Sequence, residues 1–117
     1  MKLAIVGTRT FTDYDKFKSS LDDFTKQHGK PIEIVSGGAR GADTLARQYA
    51  KEMNIKLTEF IPEWKKYNDA AGPIRNKLIV EAADHILAFW DYKSTGTKSS
   101  INIAREQKKP VTIIKIT

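Results

Sequence analysis

Three short segments of the sequence combine glycine, hydroxyl and arginine side chains, which are residue types that bind phosphate groups. They are Gly7-Thr8-Arg9-Thr10, the segment SGGARGAD at 36–43, and Ser94-Thr95-Gly96-Thr97. Glycine lets the backbone approach an anion closely, hydroxyl and amide groups donate hydrogen bonds, and arginine binds phosphate in a bidentate manner. These segments therefore predict recognition of an anion, and of a phosphate group in particular.

The glycines of the second segment do not match the well-known nucleotide loops. Arg40 stands where the pattern G-x-G-x-x-G would need glycine, and no Gly-Lys-Ser/Thr follows as in a Walker A loop. Gly37, Gly38 and Gly41 predict a phosphate cradle by their position, with amide hydrogens of the following helix directed at the ligand. A tight turn with a structural role explains the same glycines, and both interpretations stay open.

The charged residues that could act on a ligand fall on the edge of the predicted fold where the ligand is expected. Arg9, Arg40 and Arg75 are three of the arginines, and their guanidinium groups suit phosphate better than lysine does. Asp43 lies in the first turn of a predicted helix, where the helix dipole favours a carboxylate without any function. Asp91 directly follows a strand. Arg75, Asp43 and Asp91 are the candidate catalytic residues.

Aromatic and metal-ligating residues give weaker indications. Trp64 and Trp90 could stack on a base, although aromatic residues in a small domain often belong to the core. The sequence has no cysteine, and its histidines are His28 and His85. This composition excludes thiol catalysis and cysteine-ligated metal centres, so we expect no metal and no required cofactor.

Apolar runs typical of strands alternate with segments of helical period along the chain. The pattern predicts strands at 2–6, 32–36, 56–61, 85–90 and 111–116, helices at 14–27, 42–53, 72–83 and 97–107, and a loop at 62–71. Alternation of this kind predicts a three-layer α/β domain with a five-stranded parallel sheet, and right-handed crossovers favour the order 3-2-1-4-5. All three polar segments would then meet at the carboxyl edge of the sheet, where such folds bind ligands.

Composition limits the classes of protein and of partner. The 117 residues suit one domain over 1–117, and a net charge of +6, from 20 basic and 14 acidic residues, favours anionic partners. No apolar run approaches the roughly 20 residues that span a bilayer, and residues 1–7 do not resemble a signal peptide. We therefore expect a cytoplasmic protein without a membrane partner.

These motifs, together with Trp64, AGPIRN at 71–76 and AFWD at 88–91, resemble the YspA-related branch of the SLOG superfamily (DUF2493). The likeness covers nearly the whole chain in the right order. It implies a Rossmann-like fold that binds nucleotides or nucleotide-derived ligands. On this basis the ligand-binding residues are expected to be Gly7, Thr8, Arg9, Ser36, Gly37, Gly38, Ala39, Arg40, Gly41, Asp43, Trp64, Arg75, Asn76, Asp91, Ser94, Gly96 and Thr97.

Two related groups of proteins define the alternatives. In the lonely-guy phosphoribohydrolases an arginine and a glutamate carry the reaction; Arg75 and the turn Gly96-Thr97 match that pattern, but Ser100 stands in place of the glutamate. A hydroxyl group cannot stabilise an oxocarbenium ion as a carboxylate does. The DNA-processing protein DprA, whose Rossmann-like domain binds single-stranded DNA, is similar over Ser36-Gly37, Ala39-Arg40-Gly41 with Asp43, Arg75-Asn76 and the turn from Ser94 to Gly96.

The leading hypothesis is a binder of an ADP-ribose-like or cyclic-nucleotide signal that acts as a sensor or sequestering protein, as in a phage or mobile element. The alternatives are a nucleotide hydrolase that cleaves an N-glycosidic or phosphate bond, and a single-stranded nucleic-acid binder. A monomer and a homo-oligomer both stay open, because related domains often pair.

Overall fold

The computed structural model describes residues 1–116, and its five strands form one parallel sheet. The strands are β1 (Lys2–Gly7), β2 (Glu33–Ser36), β3 (Lys56–Glu59), β4 (His85–Trp90) and β5 (Val111–Lys115). Their order is β3-β2-β1-β4-β5, with every neighbouring pair parallel. The predicted sheet order is therefore confirmed, and the strand order reverses at β1.

Helices cover both faces of the sheet. They are α1 (Tyr14–His28), α2 (Ala42–Glu52), the short α3 (Trp64–Tyr67), α4 (Ala71–Ala82) and α5 (Thr95–Glu106). Leu3 and Ile5 of β1 pack in one apolar cluster with α1 and α2, whereas Ala4 and Val6 pack in a second cluster with α4 and α5. This alternation follows from the opposite directions of successive side chains in a strand, and both faces of the central strands are buried.

The prediction of a loop over 62–71 is wrong, because this segment contains α3 and a 3-10 turn at Asn68–Ala70. Asn68 ends α3 with a φ of 52°, a left-handed conformation that asparagine tolerates better than most residues. No residue of α3 is buried. The helix therefore has no apolar stripe that could have revealed it in the sequence.

Element ends also differ from the prediction by a few residues. β3 ends at Glu59, two residues before the predicted end, and α5 begins at Thr95 instead of residue 97. Ser94 caps α5, and its hydroxyl group accepts a hydrogen bond from the Thr97 N–H. Within residues 1–116, no helix has the length and apolar character needed to cross a membrane.

Candidate functional site

A cavity of about 600 Å³ opens at the carboxyl ends of β1 and β4. This is the point where the strand order reverses, and ligands of doubly wound sheets bind there. Of the residues expected to bind a ligand, the structure places these in its wall: Gly7, Thr8, Arg9, Ala39, Asp43, Arg75, Asn76, Asp91, Ser94, Gly96 and Thr97. It leaves these outside the wall: Ser36, Gly37, Gly38, Arg40, Gly41 and Trp64.

Sequence reasoning missed some residues of the cavity wall. Lys93 and Ser100 line the cavity but were not among the expected ligand-binding residues. Lys93 lies between Asp91 and Ser94, both of which were expected to bind the ligand, so its position in the sequence could have indicated it. Ser100 lies one helical turn after Gly96 on α5, and the helical period would have placed it on the same face.

Thr8 joins the loops that follow β1 and β4. Its N–H donates to the carbonyl oxygen of Phe89 at 3.0 Å, and its hydroxyl oxygen accepts from the Asp91 N–H at 3.3 Å. The side chain is buried, whereas the neighbouring Arg9 is exposed. Thr8 therefore supports the cavity wall, and Arg9 is the residue of this segment that extends into solvent.

The loop between β4 and α5 is held by its own side chains. One carboxylate oxygen of Asp91 accepts hydrogen bonds from the N–H groups of Lys93 and Ser94, each at 2.8 Å. The indole nitrogen of Trp90 donates to the carbonyl oxygen of Ser94 at 3.0 Å. The backbone donors of Ser94 and Lys93 hold the pKa of Asp91 below its usual value. Asp91 is therefore an ionised carboxylate that stabilises the turn.

This turn presents the first residues of α5 to the cavity. Thr95, Gly96 and Thr97 all line the wall. The first N–H groups of a helix have no partner within the helix and carry partial positive charge, which suits an anion. A Cβ atom at Gly96 would have no other atom within 4 Å, so this part of the turn is open.

The loop between β2 and α2 packs on the rest of the protein instead. Gly41 has a φ of 73°, and a Cβ atom there would overlap the backbone of Thr8 and Arg9. The helix amide that follows it, the Ala42 N–H, donates to the Thr8 carbonyl oxygen at 3.3 Å. These close approaches connect two loops of the protein, which agrees with the structural interpretation of this glycine.

Arg75 of α4 holds the same loop from the other side. Its Nη1 donates to the Gly37 carbonyl oxygen at 2.9 Å, and its Nε donates to the side-chain oxygen of Asn76 at 2.9 Å. A Cβ atom at Gly37 would overlap the guanidinium group. Gly37 therefore makes room for Arg75, and Arg75 in turn lines the cavity.

Asp43 lies beside this arginine and is buried. Its Oδ2 accepts from the Ala39 N–H at 3.0 Å. Burial raises the pKa of Asp43, against the lowering effects of the Ala39 amide and of Arg75. Burial lowers the pKa of Arg75, Asp43 opposes this change, and the nearby positive charge of Arg9 adds to it. The cavity wall thus contains two neighbouring guanidinium groups and one buried carboxyl group.

The tryptophans do not supply a stacking surface inside the cavity. Trp64 is 53% exposed and lies beside Gly72 at the start of α4. Trp90 stacks on Tyr92, with ring centroids 4.4 Å apart. Within residues 1–116, no three histidine or acidic side chains form a group suited to a metal ion.

Residues 1–67 match the model of the family described as "YspA, cpYpsA-related SLOG family". Among curated proteins, the Gene 61 protein of Mycobacterium phage D29 is 32% identical over 116 residues, covering 94% of this chain and 93% of the phage protein.

Three solved structures share the fold. DprA from Streptococcus pneumoniae has a TM-score of 0.78 at 20% identity, and DprA from Helicobacter pylori has 0.72 at 25% identity. The match to the S. pneumoniae protein covers 99% of this chain and 50% of that protein. The match to the H. pylori protein covers 100% of this chain and 66% of that protein. The structural genomics target TM1055 has a TM-score of 0.68 at 17% identity, over 94% of this chain and 71% of the target. Because the family model covers more than half of the chain and the phage relative nearly all of it, the chain belongs to the YspA, cpYpsA-related SLOG family.

Proposed function

We propose that this protein binds a nucleotide or nucleotide-derived molecule, with a phosphate group held by Arg75, Arg9 and the first turn of α5. The observation that carries the proposal is the position of Arg75. Its guanidinium group is fixed in the cavity wall by the hydrogen bond to the Gly37 carbonyl oxygen, and the nearby positive charge of Arg9 repels it. A phosphate group between these cations and the start of α5 would relieve that repulsion and accept hydrogen bonds from both.

The ligand that we favour is a signalling molecule such as an ADP-ribose-like or cyclic nucleotide. A cavity of about 600 Å³ is within the usual range for small ligands. The protein would act in the cytoplasm as a sensor or would sequester the ligand, with no cofactor. The phage origin of the Gene 61 relative supports a role in a phage or mobile element.

Binding without turnover is favoured by the side chains around Arg75. The residue that matches the glutamate of the phosphoribohydrolases is Ser100, so this position offers no carboxylate. Ser100 is buried, and its hydroxyl group donates to the Gly96 carbonyl oxygen at 3.4 Å. Asp91 has a lowered pKa, which makes it a weak base, and its carboxylate is engaged by the turn. A nucleotide hydrolase that uses Arg75 with Asp43 or Asp91 is the alternative.

Calorimetry with adenosine 5′-monophosphate, ADP-ribose and cyclic dinucleotides tests the proposal, with Arg75→Lys as the variant. We expect wild type to bind at least one of these ligands. Arg75→Lys should bind it at least about tenfold more weakly, because lysine keeps the charge but lacks the planar guanidinium group that donates two parallel hydrogen bonds to a phosphate group. Arg105→Lys, on the last turn of α5, is the matched control.

The same incubations, followed by chromatography, test for turnover. We expect no free base and no change in phosphate content. Release of base at 1 to 10³ per second, the common range for enzymes, would favour the hydrolase instead. Equal affinity in wild type and Arg75→Lys would remove Arg75 from the binding site and refute the proposed arrangement.

Single-stranded DNA is the second candidate ligand. It is favoured by the similarity to the H. pylori DprA structure, which concerns the single-stranded DNA binding mode of that protein. Affinity that rises with oligonucleotide length and falls steeply with salt would support this candidate.

A further inference from the structure

A second hollow, of about 400 Å³, lies beside the main cavity. It is bordered by Arg9, Gly38, Ala39, Arg40, Thr44 and Arg47, and we call it the arginine groove. Arg9 and Ala39 belong to the walls of both spaces. The groove and the main cavity are therefore neighbours, with Arg9 at their common border.

The charges around the groove are mainly positive. Arg47 is paired with Glu59 at 2.8 Å, so its charge is largely balanced. Within residues 1–116, neither Arg9 nor Arg40 forms a salt bridge, and both side chains are exposed. Two unbalanced guanidinium groups thus border one concave surface, and they attract an anion from solution.

The backbone of the groove is held in place. Gly38 turns the chain with a φ of 68°, the Ala39 N–H donates to Asp43, and the Thr44 hydroxyl group donates to the Ala39 carbonyl oxygen at 3.2 Å. Asp43 and Arg75 line the main cavity and also bind this loop, Asp43 through the Ala39 N–H and Arg75 through the Gly37 carbonyl oxygen. The two spaces consequently keep a fixed relation to each other, so one ligand can span them without rearranging the loop.

We propose that the arginine groove binds a second phosphate group of the same ligand, so that the ligand contains a dinucleotide unit with one phosphate in each space. This inference rests on the proposed function, because it assigns the first phosphate to the main cavity. Volumes of about 600 and 400 Å³ leave room for a nucleoside beside the phosphate group in each space, so two nucleotide units suit the pair of spaces better than one pyrophosphate. Of the ligands favoured above, this inference selects the cyclic dinucleotide kind over the ADP-ribose-like kind. The dinucleotide unit would belong either to a small signalling molecule or to a nucleic-acid strand.

Titration calorimetry with three probes tests this inference. The probes are adenosine 5′-monophosphate, the 5′-phosphorylated dinucleotide pApA, and ADP-ribose. We expect wild type to bind pApA at least about tenfold more tightly than the other two, since a charge-assisted hydrogen bond contributes about that factor. Arg40→Ala should remove this advantage and leave the affinity for adenosine monophosphate unchanged. Arg105→Ala is the control for a general loss of charge.

Each result has a distinct meaning. Equal affinity for the monophosphate and pApA, or an Arg40→Ala variant that binds pApA like wild type, would overturn the second phosphate site and leave the proposed function intact. If ADP-ribose bound most tightly of the three, the two phosphate groups of the ligand would be adjacent, and the proposed dinucleotide unit would be overturned. Failure of all three probes to bind would overturn this inference, and failure of the cyclic dinucleotides as well would refute the proposed function.

Oligonucleotides of increasing length identify the source of the dinucleotide unit. Affinity that stops rising at two nucleotides indicates a small molecule, and affinity that continues to rise indicates a strand. If the ligand is a strand, Arg40→Ala should reduce the slope of log affinity against log salt by about 0.7, the value for one phosphate contact to a single strand. An unchanged slope in Arg40→Ala would contradict the proposed contact.

Discussion

The two glycine-containing loops at the carboxyl edge of the sheet use glycine in opposite ways. In the loop between β2 and α2, Gly37 and Gly41 make room for other parts of the protein, namely Arg75 and the backbone after β1. In the loop between β4 and α5, Gly96 has no atom within 4 Å of where a side chain would begin. Gly37 and Gly41 of the first loop therefore support the fold, whereas Gly96 of the second loop lies at an exposed surface.

This difference shows that a glycine-rich motif does not by itself identify the surface that meets a ligand. The loop with more glycines is the one whose close contacts are already made within the protein. Its Gly37 contributes to binding indirectly, because the Gly37 carbonyl oxygen orients Arg75. Substitutions of Gly41 and of Gly96 should consequently have different effects, the first on folding and the second on binding.

The largest effect is expected from Gly41→Ala. The methyl group would overlap the backbone of Thr8 and Arg9, and the residue would be held at a φ of 73°, so we expect the free energy of unfolding to fall by about 2–4 kcal/mol. Denaturant unfolding followed by circular dichroism measures it. Gly96→Ala is the matched control and should be neutral or slightly stabilising. Equal losses in both variants would contradict the distinction between the loops.

An intermediate effect is expected from Gly96→Val. The side chain would project into open space at the start of α5, so the fold should tolerate it, whereas a nucleotide bound there should lose about tenfold in affinity, equivalent to about 1.4 kcal/mol. Calorimetry and denaturant unfolding of the same preparation separate the two effects. A variant that binds as tightly as wild type would show that the ligand does not approach this turn.

The smallest effect compares the acidic residue of each loop. Burial raises the pKa of Asp43, whereas backbone donors lower the pKa of Asp91. Asp43 therefore disfavours the folded state as pH rises through its folded pKa, and Asp91 favours the folded state once pH exceeds its unfolded value. As pH rises above about 4, the ordinary pKa of aspartate, wild type should lose stability relative to Asp43→Asn; as pH rises towards about 4 from below, wild type should gain stability relative to Asp91→Asn.

Unfolding free energies of the three proteins, measured at several pH values, check these opposite signs. Each asparagine keeps an oxygen that accepts a hydrogen bond, so the comparison isolates the charge. Parallel curves for the two variants would show that both carboxyl groups have the same electrostatic environment and would remove this difference between the loops.

The arrangement of the sheet was predictable because it depends on local pattern and on a general rule of handedness. Short apolar runs such as residues 85–90 identify strands, and right-handed crossovers then give the order of the sheet. The short helix Trp64–Tyr67 was not predictable in this way. None of its four residues is buried, and it ends at Asn68 in a left-handed conformation, which no periodicity encodes.

The site was predictable as a set of loops but not in its internal contacts. Strand ends place Thr8, Asp91 and Gly96 near one another in any sheet of this order. The contact between Arg75 and the Gly37 carbonyl oxygen joins residues 38 positions apart, and the sequence gives no sign that this glycine serves an arginine. Similarly, the exposure of Gly96 depends on what packs nearby, which is a property of the whole fold.

The hydrogen bonds that join the carboxyl ends of β1 and β4 have a consequence for folding. The contacts of Thr8 with Phe89 and Asp91 join positions more than 80 residues apart, so the complete cavity forms only when the two halves of the chain have come together. A ligand of this cavity therefore binds the finished fold and not its separate halves. At a free concentration of 100 times Kd it would add about 2.7 kcal/mol to the free energy of unfolding. A rise in Tm on adding a candidate nucleotide would thus report binding and completed folding together, without a label on either molecule.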